Sequence, residues 1–157
     1  MIGGQKYLVL DNIRSSYNVG AIFRTADAVG IDKIFLTGVT PCPVDKFNRV
    51  SSRIAKSALG SEQTVSWEYK KTISSVLKKL AGDSVQIIAL EQAPNSIDYK
   101  KIKLNQSWAL VLGEETKGLP RTALGKCNVI AEIPMKGSKE SLNVAVAAGV
   151  ALFEFTK

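Results

Sequence analysis

The hydrophobic positions of this chain fall into short runs separated by polar, turn-rich stretches. Lys6 to Leu10 (KYLVL) is an apolar strand that ends at Asp11, and Asn12 to Asn18 is a polar loop. From Val19 to Val29 the period changes, with Ile22, Ala26 and Val29 on one helical face and Gly30 as the C-terminal cap. Lys33 to Leu36 is the second strand, so the chain opens as a β-α-β unit with parallel strands and a right-handed crossover. Thr40 to Val44 (TPCPV) is a rigid turn. A helix over Asp45 to Gly60 would put Lys46, Arg49, Arg53 and Lys56 on one face and Phe47, Val50, Ile54 and Ala58 on an apolar stripe beside it. That face is either an ordinary solvated one or one that meets RNA, and Pro41 and Pro43 complicate its start.

Further on, Gln63 to Trp67 reads as a strand, Tyr69 to Leu80 as an amphipathic helix and Val85 to Leu90 as an interior strand. Glu91 to Gln106 is irregular, with a solvated basic run at Lys100, Lys101 and Lys103. Trp108 to Leu112 is a buried strand, Thr122 to Lys126 a helical turn and Asn128 to Ile133 the last strand. A helix rich in small residues runs from about Leu142 to the end, apolar on almost every side. Such a helix is expected in a core and in a subunit interface at once. Five or six strands alternating with helices predict an α/β domain with a mostly parallel sheet and helices on both faces.

At 157 residues the chain is read as a single domain, residues 1–157, with no targeting segment before the first strand and hence cytoplasmic. It has no histidine, so Ser-His and Cys-His nucleophile pairs are excluded and a zinc site is not expected; no metal is anticipated. Cys42 and Cys127 have no metal-ligand spacing. Twenty-one basic residues against fourteen acidic ones give a net charge of +7, which suits an anionic partner such as nucleic acid or simply a basic surface.

Three loops leave the carboxyl ends of strands, where open parallel sheets hold their ligands: Asp11 to Asn18, Gly113 to Pro120 and Met135 to Ser141. In the first, Asn18 can cap the following helix, Gly20 permits close backbone approach, and Arg24 interrupts an apolar helix. Arg24 is either paired with Asp27 or Asp11, or free to clamp an anion. The second loop lacks phosphate-loop spacing and carries Glu114 and Glu115, which suit sugar hydroxyls or a cation better than phosphate.

Together these loops resemble the three motifs of the SpoU (TrmH-like) branch of the SPOUT RNA methyltransferases. The first resembles Asn18-Val19-Gly20-Ala21-Ile22-Phe23-Arg24-Thr25-Ala26-Asp27, and the second Leu110-Val111-Leu112-Gly113-Glu114-Glu115-Thr116-Lys117-Gly118-Leu119. The third resembles Ile133-Pro134-Met135, Gly137 and Glu140-Ser141-Leu142-Asn143-Val144-Ala145-Val146-Ala147. The resemblance implies a SPOUT α/β knot, with a C-terminal deep trefoil knot. It implies binding of S-adenosylmethionine, a homodimer formed through the C-terminal helix and the motif-one helix with both subunits building each active site, and methylation of an RNA ribose 2′-hydroxyl. It casts Arg24, Asn18, Glu115, Ser141 and Asn143 as catalytic. It puts Leu112, Gly113, Glu115, Gly118, Ile133, Met135, Ser141 and Leu142 around the cofactor. Glu114 and Thr116 depart from the pattern, standing where many members have Asn and Gly. Several relatives carry an N-terminal RNA-binding extension; starting at its first strand, this chain is expected to grip RNA with the knot domain itself. Arg14, Lys46, Arg49, Arg53 and Lys56 are the residues expected to contact RNA. The expected substrate is tRNA, with rRNA, or a catalytically inactive RNA-binding role, as the alternatives.

Overall fold

The computed structural model describes residues 3–157; Met1 and Ile2 of the short lead-in lie outside the described residues. Seven parallel strands form one sheet. They are β1 (Lys6–Asp11), β2 (Lys33–Thr37), β3 (Ser66–Lys70), β4 (Gln86–Leu90), β5 (Ile97–Asp98), β6 (Trp108–Leu112) and β7 (Val129–Glu132), in the order β3-β2-β1-β6-β4-β7-β5. Each parallel pairing needs a crossover, and the helices supply most of them: α1 (Ser16–Val29), α2 (Ser52–Ala58), α3 (Ser61–Thr64), α4 (Ile73–Gly82), α5 (Arg121–Leu124) and α6 (Val144–Phe155).

Strand side chains alternate between the two faces of the sheet. Leu8, Leu10, Ile34, Leu36, Leu110 and Leu112 join Val19, Ile22, Phe23, Ala148 and Leu152 in one core cluster, under α1 and α6. Val9, Phe35, Ile87, Ala89 and Val111 pack with Val76, Leu77 and Leu80 of α4 and Ala123 of α5 in the other. All five residues of β6 are buried, as a strand covered on both faces must be. The middle strands and the terminal helix therefore fall where the apolar pattern put them.

Four local expectations fail. No helix spans residues 45–51. The Asp45 carboxylate accepts from the Phe47 and Arg49 amides at 2.8 and 3.0 Å, which closes a side-chain turn that competes with helix. Ser51 then caps the short α2, its hydroxyl accepting from Ile54 N–H at 3.3 Å. Ile54 and Ala58 are buried as expected, but Phe47 and Val50 stand 65% and 66% exposed and are no part of a core stripe. Lys46, Arg49, Arg53 and Lys56 consequently do not share one helical face; only Arg53 and Lys56 lie on α2.

The third strand is shifted to Ser66–Lys70, with residues 61–64 helical; it pairs in parallel with β2, and Glu68 pairs with both Lys33 (2.8 Å) and Lys70 (2.9 Å). The helix expected from Tyr69 begins at Ile73, behind a Thr72 cap. Finally, the stretch read as irregular holds β5 and a turn of 3-10 helix at Tyr99–Lys101. Among the described residues no helix is long and apolar enough to cross a membrane.

Candidate functional site

The first turn of α1 begins three residues earlier than its apolar period suggests. Ser15 is its N-cap, accepting from Asn18 N–H at 3.2 Å, so Asn18 is not the cap. It lies in the first turn, buried, with its amide free for longer-range bonds. Its Nδ2 donates to Glu115 Oε1 at 3.2 Å, and its Oδ1 accepts from Asn143 Nδ2 at 3.3 Å. Asn143 is itself the N-cap of α6, its Oδ1 accepting from the amides of Ala145 and Val146 at 2.8 and 3.3 Å. One buried amide thus ties together loops that are 97 and 125 residues away in the chain.

Beside this junction is a cleft of about 340 Å³ at the carboxyl ends of β4, β6 and β7. Leu112, Gly113, Glu115, Gly118, Ile133, Met135, Ser141 and Leu142 all line it. Two of its glycines leave no room for a side chain. A Cβ on Gly113 would stand 2.7 Å from Leu119 N, and Gly118 has φ +66 with Glu91 Oε1 2.5 Å from any added Cβ. Neither position accepts a side chain without displacing its neighbours.

Glu91, Gln92 and Glu132 also line the cleft and were not singled out from the sequence. Glu91 is the first residue after β4, and the strand-end rule that marked the other loops marks it too. Its Oε1 accepts from Leu119 N–H at 2.7 Å, which fixes the far end of the 113–119 turn. Burial pushes the Glu91 carboxyl up from its ordinary 4.5, partly offset by the N–H groups of Leu119 and Gln92. Across the cleft Gln92 Nε2 donates to Glu140 O at 2.6 Å.

The cleft is acidic. Glu91, Glu114, Glu115 and Glu132 face one Lys117, a formal net of −3 in a chain of +7. The two departures from the motif pattern belong together: Glu114 Oε1 accepts from Thr116 Oγ1 at 3.2 Å and lies 3.6 Å from Arg14 Nε. Gly118 N–H bonds back to Glu114 O at 2.8 Å, so the turn closes on itself with Thr116 accommodated.

Arg24 is not among the residues lining this cleft. It is exposed on α1, makes no ion pair among the described residues, and is matched with neither Asp27 nor Asp11. Those carboxylates accept instead from Thr64 Oγ1 (3.0 Å) and Thr37 Oγ1 (2.7 Å). Arg24 sits about 120° around the helix from Asn18, on the side of the largely exposed Tyr17. Lys46, Arg49, Arg53 and Lys56 are likewise away from the cleft, and Arg14 alone of the expected RNA-contacting residues reaches its rim. Among the described residues no group of three or more Cys, Asp or Glu is arranged to hold a metal.

The family model described as the SpoU rRNA Methylase family matches residues 5–153. The 23S rRNA (guanosine-2′-O-)-methyltransferase RlmB of Xylella fastidiosa is 37% identical over 153 residues, 97% of this chain and 59% of that protein. The chain thus spans little more than half the length of the curated relatives it matches. The AdoMet-bound rRNA methyltransferase of Sinorhizobium meliloti superposes with a TM-score of 0.86 at 32% identity, over 98% of this chain and 56% of that one. A further solved structure, described as giving insight into the 2-OH methylation of C/U34 on tRNA, superposes with a TM-score of 0.80 at 26% identity, over 96% of this chain and 93% of that one.

Proposed function

The chain belongs to the SpoU rRNA methylase family, and on that premise we propose that it transfers a methyl group from S-adenosylmethionine to a ribose 2′-hydroxyl of RNA. The observation that carries the reading is the meeting of all three motif loops at Asn18, on the edge of an acidic cleft whose Gly113 and Gly118 have no room for a side chain. The donor set fits the cofactor: carboxylates suit a sulfonium and an ammonium, the Gly113–Gly118 backbone suits a flat base, and the same carboxylates would repel a phosphate-bearing cofactor. Leu112, Gly113, Gly118, Ile133, Met135 and Leu142 would hold the nucleoside, with Glu115 and Ser141 near its charged end. Bound there, the cofactor supplies an electrophilic methyl group.

The chain's own contribution is alignment and the handling of a proton. Asn18 and Asn143 hold the Glu115 loop and the start of α6 at fixed separation. Arg24 steadies the oxyanion that develops on the ribose, and an RNA phosphate helps to take up the proton, because a guanidinium does not give up its own near neutrality. Because Arg24 lies on the exposed face of α1, it serves the cleft of a second copy. The homodimer is supported by an apolar face on α6, where Val146 is 52% and Phe153 61% exposed. Threading of residues 133–143 as a trefoil knot belongs to the same proposal.

The curated relatives' names make ribosomal RNA the first acceptor to test; tRNA, the expectation from sequence, is favoured by the solved tRNA-related structure that matches along nearly its whole length. Incubation with labelled S-adenosylmethionine and each RNA, followed by mapping of ribose methylation, tests both. Cofactor binding without transfer to either RNA would leave the inactive RNA-binding member.

A further inference from the structure

We propose that the turn around Phe47 is a base-stacking finger, with Phe47 stacking on an unpaired base of the RNA while Lys46 and Arg49 meet its phosphates. This rests on the reading of the chain as acting on RNA and adds how that RNA is gripped.

The turn is built, not slack. Asp45 organises it: its Oδ1 accepts from Phe47 and Arg49 N–H, and its Oδ2 from Arg49 Nε at 2.8 Å. The main chain closes twice more, with Asn48 N–H on Asp45 O and Asp45 N–H on Arg49 O, both at 3.0 Å. Val44 and Val50 pair as an antiparallel bridge at its base, and Asn48 takes the left-handed conformation (φ 61) that reverses the chain. All this structure serves to present a phenylalanine that is 65% exposed. Lys46 Nζ and Arg49 Cζ stand 5.2 and 5.0 Å from its ring centroid.

A large ring exposed to solvent, with two cations drawn over it, is poorly suited to a core. It matches a nucleotide, which offers a π-face and a phosphate within one residue. Duplex RNA hides its bases, so the occupant is a loop, bulge or end. Arg53 and Lys56 on α2 continue the cationic surface. That helix, capped by Ser51 directly after the finger, packs on α1, whose first turn holds Asn18.

Affinity should be measured by fluorescence anisotropy for a labelled RNA hairpin with an unpaired loop and for the fully paired duplex of its stem. The proteins are the wild type, Phe47→Ala and Phe47→Trp, with S-adenosylmethionine binding and oligomeric state measured for each. Phe47→Ala should weaken hairpin binding about tenfold or more and duplex binding little. Phe47→Trp should keep the affinity, and its added emission, taken above that of Trp67 and Trp108, should be quenched by the hairpin. Equal hairpin affinity of Phe47→Ala and wild type overturns the finger, as does a change in oligomeric state on Phe47→Ala, which would make the surface a contact between protein copies. A wild type that binds S-adenosylmethionine but neither RNA overturns the RNA reading itself, and with it the finger.

Discussion

The cleft and the 45–59 segment carry opposite charge and are built in opposite ways. The cleft holds four carboxylates against one lysine, and its Gly113 and Gly118 have no room for a side chain. The segment holds Lys46, Arg49, Arg53 and Lys56 against Asp45 and projects its side chains into solvent. A single net charge of +7 conceals this division. Electrostatics acts locally, within about 10 Å at ordinary salt, so the proposed cationic methyl donor would meet the acidic cleft and the proposed RNA the basic segment.

The strongest way to break this comparison is Arg24→Ala. It lies in neither region, yet turnover should fall about 100- to 1000-fold while calorimetric cofactor affinity stays unchanged. Near-normal turnover would remove Arg24 from the chemistry. Gly113→Val comes next. Its side chain would collide with Leu119 backbone, so cofactor binding should be lost in the same titration, with a lower melting temperature and RNA affinity retained. A variant that binds cofactor normally would show that the turn is softer than its contacts suggest.

Glu91→Gln probes the sign of the cleft. The carboxyl is raised above 4.5, so it begins to take up its proton above the ordinary pH, and affinity for a cationic donor should fall as pH drops through that raised value. The same shift means that ionising Glu91 costs folding stability: its contribution is greatest below 4.5 and is lost as pH rises through the raised value. Glu91→Gln should weaken cofactor binding several-fold near neutrality and flatten its acid limb; an unchanged limb would assign the titration elsewhere.

On the basic side, neutralising Arg53 and Lys56 together should lower the slope of log affinity against log salt by roughly 0.7–0.9 for each RNA phosphate that the pair neutralises. The smallest effect concerns the thiols. Burial pushes Cys127 up to about 11 and raises Cys42 also, so both should alkylate slowly with iodoacetamide at neutral pH.

What could be read from the residues alone follows the same division. The buried strands were legible because their apolar runs are too short for a helix and are bounded by turn residues, as Trp108 to Leu112 shows. The loops around the cleft were legible because glycines and polar residues cluster where those strands end, while the individual lining residues came only from the resemblance to the SpoU motifs. The 45–51 stretch was not. Its helical spacing was real as a pattern, but one Asp45 side chain outcompeted it with bonds to the main chain, a contest that periodicity does not register. Asn18 was recognised as important and given the wrong local task, since Ser15 caps the helix and leaves Asn18 to join distant loops. Arg24 could not be located at all from one chain's pattern, because its proposed place of work is on another copy.

Gly20 carries a last consequence. A Cβ there would stand 2.0 Å from Ser57 Oγ and 2.5 Å from Ile54 O, and Ser57 Oγ already donates to Tyr17 O at 2.9 Å. The two helices are therefore seated backbone to backbone and cannot be exchanged separately. A chimaera that borrows α2 from a relative to change RNA preference should fold only if α1 is borrowed with it, so new specificity in this scaffold has to be transplanted as a paired cassette.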